Sequence, residues 1–145
     1  MRTPFRLSAA VLLLFAPGWA VGEPAIEVIQ AESQPWYEAE DRAVARELAS
    51  PRNSRAREMS IAEIRVPAGV AVRPHRHDWE ETYLVRAGSG VMMLEDAERA
   101  VGAGDSIVIR RNEWHAIRNA SEGSDLELIV VCTPAWRADG LVFER

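Results

Sequence analysis

From Pro67 to Cys132 the chain is cut at short, even intervals by glycine and other turn-forming residues, and the apolar runs between the cuts hold only two to seven residues. Such runs are too short for helices, which need ten or more residues to pack a face. The segments are Thr82–Val85, Val91–Leu94, Ala100–Val101, Ser106–Ile109, Trp114–Arg118 and Leu126–Cys132. Gly88 and Gly90, Asp96-Ala97, Gly102 and Gly104, Arg111-Asn112 and Ser121–Ser124 separate them. Strands at this spacing predict an all-β antiparallel sandwich or barrel. Upstream, Arg57–Val66 is a further strand whose apolar set changes phase, from Met59 and Ile61 to Ile64 and Val66; such a slip predicts a bulge or burial on both faces.

The flanks carry weaker signals. Ile26–Ile29 is expected to be a short strand and Arg42–Leu48 an edge strand, with a turn at Pro51–Ser54. Pro134 ends the last long strand, and the tail beyond it offers Trp136, Leu141 and Phe143 to a sheet face or a partner subunit. Before all of this, Arg2 and Arg6 precede the apolar run Ala9–Ala16, Pro17-Gly18 break it, and Ala20-Val21-Gly22 supplies small residues for cleavage. That order predicts a secretory signal over residues 1–22, an exported protein, and a periplasmic one if the source is bacterial. Removing it takes away two arginines and no acid, moving the formal charge from −5 to −7. The organisation expected is thus 1–22 signal, 23–58 N-terminal extension, 59–134 barrel core and 135–145 tail.

With 145 residues there is material for one hydrophobic core. The acidic charge and the lack of a basic stripe argue against nucleic acid as a partner. No apolar run after the signal approaches the length needed to span a membrane. Every basic side chain is arginine, so Schiff-base chemistry on lysine is excluded. A single cysteine, Cys132, rules out an intramolecular disulfide and reads as a buried thiol.

The three histidines carry the chemistry. His75 and His77 share one strand face because side chains alternate, Glu81 follows four residues later, and His115 comes from a strand brought alongside. Three imidazoles and a carboxylate, without a thiolate, make a nitrogen–oxygen site for one divalent transition metal: Mn, Fe, Ni, Cu or Zn. Arg73 has the parity of His75, which aims it into the barrel, either at an anionic substrate or at an acid on the barrel mouth. Tyr83 has the parity of Glu81 and is either a phenol near the metal or a filler of the barrel. Trp79 is placed to roof the pocket, and Trp114 to face away from His115. Asp78 and Glu80 read as solvated turn residues.

The spacing Gly69-x5-His75-x-His77-x3-Glu81-x6-Gly88 resembles the first sequence motif of the cupins at every position. Gly104-x10-His115-x3-Asn119 is similar to the second, with Arg110 where the family usually has proline and Asn112 where it usually has glycine. The resemblance implies a single-domain, jelly-roll-like cupin β-barrel of two antiparallel sheets. It implies that His75, His77, Glu81 and His115 ligate the metal, and that two copies pair as a homodimer through segments such as Ile26–Ile29 and Leu141–Phe143. For function it implies a metal-dependent enzyme of the dioxygenase, decarboxylase or lyase, or isomerase type, acting on a small polar or anionic molecule. A non-catalytic cupin that binds or senses a small ligand, and one whose metal is structural, stand beside it. No catalytic residue beyond the ligands is assigned, and a fold that hosts many chemistries does not choose among them.

Overall fold

The computed structural model describes residues 26–144; the signal read over residues 1–22 lies outside them. In chain order the strands are β1 (Tyr37–Glu38), β2 (Val44–Ala49), β3 (Ser60–Val66), β4 (His75–Arg76), β5 (Glu80–Ala87), β6 (Ser89–Leu94), β7 (Ala97–Gly102), β8 (Ser106–Ile109), β9 (His115–Asn119), β10 (Leu126–Thr133) and β11 (Val142–Phe143). They form two antiparallel sheets, ordered β1-β2-β3-β10-β5-β8 and β11-β4-β9-β6-β7. The only helical turns among the described residues are three-residue 3-10 turns at Ala31–Ser33 and Ala138–Gly140. Among the described residues no helix is long and apolar enough to cross a membrane. This is the all-β antiparallel architecture that the strand spacing predicts, in the two-sheet jelly-roll form that the cupin resemblance implies.

Alternation builds the barrel interior. Leu126, Leu128, Val130 and Cys132 point inward from β10, and Glu81, Tyr83 and Val85 from the paired strand β5. Ile109, Ile117 and Met92 close the core from β8, β9 and β6, all nearly inaccessible to water. The sharp corner between β5 and β6 needs Gly88: its φ is +81°, and a Cβ there would lie 2.6 Å from the Asp125 carbonyl oxygen. Asn119 ties the two sheets, its amide donating to the Val66 and Ser124 carbonyls at 2.8 and 2.7 Å while its oxygen accepts the Ser121 N–H.

Three expectations need correction or refinement. Ile26–Ile29 is not a strand: β1 already occupies that edge of the six-stranded sheet, and Ile26 and Val28 stand exposed. Arg42–Leu48 becomes β2, shifted to Val44–Ala49 because Arg42 sits at φ 72°, outside strand geometry; β1 flanks it, so β2 is not the edge. The slip read on β3 is met by a bulge in its neighbour, where the register jumps between Glu47 and Ala49. Both faces of β3 are indeed covered, but the outer buried residue is Glu63 rather than an apolar one. Arg46, Arg65 and Arg86 converge on its carboxylate, and the Trp36 ring lies 4.6 Å from both the Arg46 and Arg65 guanidiniums. Burial alone would raise the Glu63 pKa; the Arg46 hydrogen bond and the three positive charges outweigh it and hold the carboxyl below its ordinary value.

The tail beyond β10 belongs to the fold. β11 pairs with β4, setting Phe143 opposite His75. Leu141 packs against the core.

Candidate metal centre

β4 supplies His75, and the turn after it supplies His77. Glu81 lies at the start of β5, and His115 opens β9, paired directly with His75. The four ligating atoms all lie within 4.8 Å of one another. His77, Glu81 and His115 are buried, and His75 is the most accessible of the four. Glu81 Oε2 lies 3.0 Å from Nε2 of His77 and 3.2 Å from Nε2 of His115.

The main chain decides which ring nitrogen is free. Nδ1 of His75 lies 2.8 Å from the Arg73 carbonyl oxygen, Nδ1 of His77 3.0 Å from that of Trp79, and Nδ1 of His115 2.9 Å from that of Glu113. A carbonyl only accepts, so each Nδ1 carries the proton and each neutral ring turns its Nε2 lone pair inward. This is the outer-shell arrangement that orients ligating histidines. Three lone pairs and a carboxylate oxygen then face one point, and His115 Nε2 has no hydrogen-bond partner although it is buried. Such a constellation is relieved by a cation at its centre or by extra protons on the rings. Metal–ligand bonds of about 2.1 Å bring opposed ligands to roughly 4.2 Å, so the cluster closes on one ion with sub-ångström adjustment. The residues therefore fit a divalent transition metal; nothing in the donor set selects one.

The titration behaviour agrees with this crowding. Burial, followed by the neighbouring His115 charge, lowers the His75 pKa. Burial alone would raise that of Glu81, but once the rings take up a second proton, the hydrogen bonds and charge of His115 and then His77 dominate and pull it to about 2. Tyr83 is buried beside Glu81; burial first, then the charge of the carboxylate, pushes its pKa well above the ordinary phenol value. Cys132 is pushed up for the same two reasons. Neither group is poised to exchange a proton near neutral pH.

Arg73 is exposed on the barrel rim, its guanidinium 4.8 Å from the Phe143 ring, which itself lies 5.9 Å from the His75 ring, and it donates to the Glu144 carbonyl. A recess of about 160 Å³ lies on the outer face of the five-stranded sheet, where Met93, Trp114 and Ala116 alternate with the inward-facing Met92, His115 and Ile117. Trp79 does not roof the site but backs it: fully buried, its ring is stacked on that of His77 at 4.2 Å and 2°. Trp114 faces away from the cluster, under the Arg76 guanidinium. Asp78 is exposed and paired with Arg137, while Glu80 is exposed.

Two contributors to the site are not apparent in the motifs. Cys132 donates its S–H to Glu81 Oε1 at 3.2 Å. Gly140 presses on the Trp79 ring from the tail. The inward parity of Cys132 is visible in the sequence, but the strand register that sets it opposite Glu81 is not.

The fold and the site together define a small double-sheet barrel with an interior three-histidine, one-carboxylate cluster. Residues 62–132 match the cupin domain family. An uncharacterised protein of Methanocaldococcus jannaschii is 34% identical over 84 residues, which span 57% of this chain and 67% of that protein. The chain belongs to the cupin superfamily. Among solved structures it resembles an RmlC-like cupin from Shewanella frigidimarina (TM-score 0.67, 16% identity, 79% of this chain and 96% of that one). It also resembles a polyketide cyclase from Streptomyces resistomycificus (0.69, 20%, 83% and 87%). Oxalate decarboxylase from Bacillus subtilis matches with TM-score 0.71 and 19% identity over 83% of this chain, but only 33% of the decarboxylase chain. At these identities the likeness establishes the fold alone.

Proposed function

We propose that the protein binds one divalent transition-metal ion through His75, His77, Glu81 and His115 and acts as a metal-dependent enzyme on a small polar or anionic molecule. The observation that carries this is the set of three Nδ1-to-carbonyl hydrogen bonds, which leave three Nε2 lone pairs aimed at Glu81 Oε2. A bound ion supplies Lewis acidity and, if redox-active, electron transfer. The chain's own residues do the rest. The main-chain carbonyls of Arg73, Trp79 and Glu113 keep the rings neutral and oriented, Trp79 and the β5–β10 core exclude water behind them, and access is left on the His75 side. Arg73 on the rim is the cation available to an anionic substrate, and Tyr83 remains a neutral phenol beside Glu81. Similar folds include a polyketide cyclase and an oxalate decarboxylase, which makes lyase or cyclising chemistry a reasonable first screen.

A second reading, a non-catalytic cupin that captures a small ligand, is favoured by one observation. Tyr83 and Cys132, the titratable side chains beside the cluster on its interior side, are both held away from neutral pKa values. We further propose export through residues 1–22 and assembly as a homodimer. Fractionation of the source cells and sedimentation of the mature protein test these.

The decisive experiment is elemental analysis of protein purified without a histidine tag or chelator. About one equivalent of a transition metal, lost in His115→Ala, supports the metal centre and justifies screening small acids. Trace, mixed metal unaffected by His115→Ala would refute it. With the metal present, turnover of a small acid separates the enzyme from the binder.

A further inference from the structure

Glu81 turns its two oxygens to different partners. Oε2 faces the histidine nitrogens, whereas Oε1 points away from them and accepts the S–H of Cys132 at 3.2 Å. The contact is built into the sheet. Cys132 is directly opposite Glu81 in the β10–β5 register, both side chains point inward, and both are buried. An ionised carboxylate has no proton to give, so the thiol must be the donor. A thiolate there would place two anions side by side without solvent. Without the thiol, an oxygen that does not ligate would lose its recorded buried hydrogen bond.

We propose that Cys132 is a positioning residue of the metal centre: its S–H holds Oε1 and thereby fixes Glu81 as a one-oxygen ligand through Oε2. The proposal rests on the metal reading above. A carboxylate can ligate through one oxygen or two, and swings between these modes unless its second oxygen is tied. Tyr83 is buried at the next inward position of β5, beside the carboxylate. Outer-shell partners of this kind change metal affinity by about 10–100-fold when removed. A cysteine that only filled space would contribute stability and nothing to the ligand geometry.

The chain has one cysteine, so its infrared S–H stretching band belongs to Cys132 alone. In the full chain, stripped of metal by chelation, that band is expected at a hydrogen-bonded frequency and should move to the free position in Glu81→Leu, which has no acceptor. A band at the free position in the wild type, insensitive to Glu81→Leu, would overturn the proposal. Zn(II) titration provides the second measurement. Cys132→Ala and Cys132→Val should bind Zn(II) about tenfold or more weakly, with a changed carboxylate stretching pattern. Cys132→Ser, which keeps a donor, should stay within about threefold of wild type. Folded Cys132→Ala protein that binds Zn(II) as tightly as wild type, with the same carboxylate bands, would overturn the positioning role while leaving the metal centre intact. Failure of the wild type to bind Zn(II), Mn(II) or Fe(II) would overturn both.

Discussion

Gly140→Ala should damage the metal centre from the C-terminal tail. A Cβ built at Gly140 would lie 3.2 Å from Cη2 of the Trp79 ring and only 2.3 Å from Cζ3, the latter more than 1 Å inside ordinary contact. The ring cannot swing aside, since it is fully buried, stacked flat on His77 on one side and overlain by the Arg137 guanidinium at 5.3 Å. Either the tail lifts or Trp79 is driven towards His77. Overpacking of this kind costs about 1–3 kcal/mol. At roughly 4 °C per kcal/mol for a domain of this size, the melting temperature should fall by about 4–12 °C. Because Trp79 backs His77 and its carbonyl oxygen holds His77 Nδ1, metal affinity should fall as well. Thermal melting with and without added metal, together with tryptophan fluorescence, reads all three effects. A melting temperature within about 1 °C of wild type and an unchanged affinity would refute the packing account of Gly140.

Glu63→Gln should cost roughly 3 kcal/mol, the lower end for breaking a buried ion pair, because Arg65 and Arg86 keep access to water. Its folded pKa lies below the ordinary 4.5, so the Glu63 contribution is complete above that pH and is lost as pH falls through the folded value; urea midpoints between pH 6 and 3 should show a smaller acid-side drop in the variant. Asn119→Asp should destabilise by about 3 kcal/mol, since it turns the donor to the Val66 and Ser124 carbonyls into an acceptor, and denaturant unfolding would measure it. Metal-free protein should lose stability as pH falls below about 6.5, because the folded state holds His75 at a lowered pKa and so binds its proton less readily than the unfolded chain; added metal should sharpen this acid sensitivity, and melting curves at pH 5 to 8 with and without chelator check both.

Much of the barrel was legible because its strands are short, glycine-punctuated and alternating. Ser106–Ile109 is observed as read, and the other segments from Thr82 to Cys132 differ by one to three residues at either end. The ligand set was legible because histidine and glutamate spacing is a local property. Features that depend on which strands meet were not. Glu63 lies inside a strand as an ordinary polar alternate residue, and only the arrival of β2, β5 and the Trp36 segment converts it into a buried ion-pair hub. The Cys132–Glu81 contact depends on the register of strands 51 residues apart.

The two departures from the second motif, Arg110 and Asn112, show what the site takes from that turn. Asn112 adopts φ 65°, the left-handed region that glycine enters freely and asparagine enters at modest cost. Its N–H donates to the His77 carbonyl at 2.7 Å, and the neighbouring Glu113 carbonyl holds His115 Nδ1. The turn thus joins two ligand segments through main-chain atoms that many side chains permit. Arg110 differs in kind, since its N–H donates to the Glu113 carboxylate at 2.7 Å, a bond that proline has no hydrogen to make. Restoring the family's residues should therefore give opposite results. Asn112→Gly should stay within about 0.5 kcal/mol of wild type, because relief of left-handed strain offsets the added unfolded-state entropy. Arg110→Pro should lose about 1.5–3 kcal/mol, the worth of a hydrogen bond to a charged group, and weaken metal binding through Glu113 and His115. Equal stability of the two variants in denaturant would mean that the Glu113 carboxylate does not organise this turn.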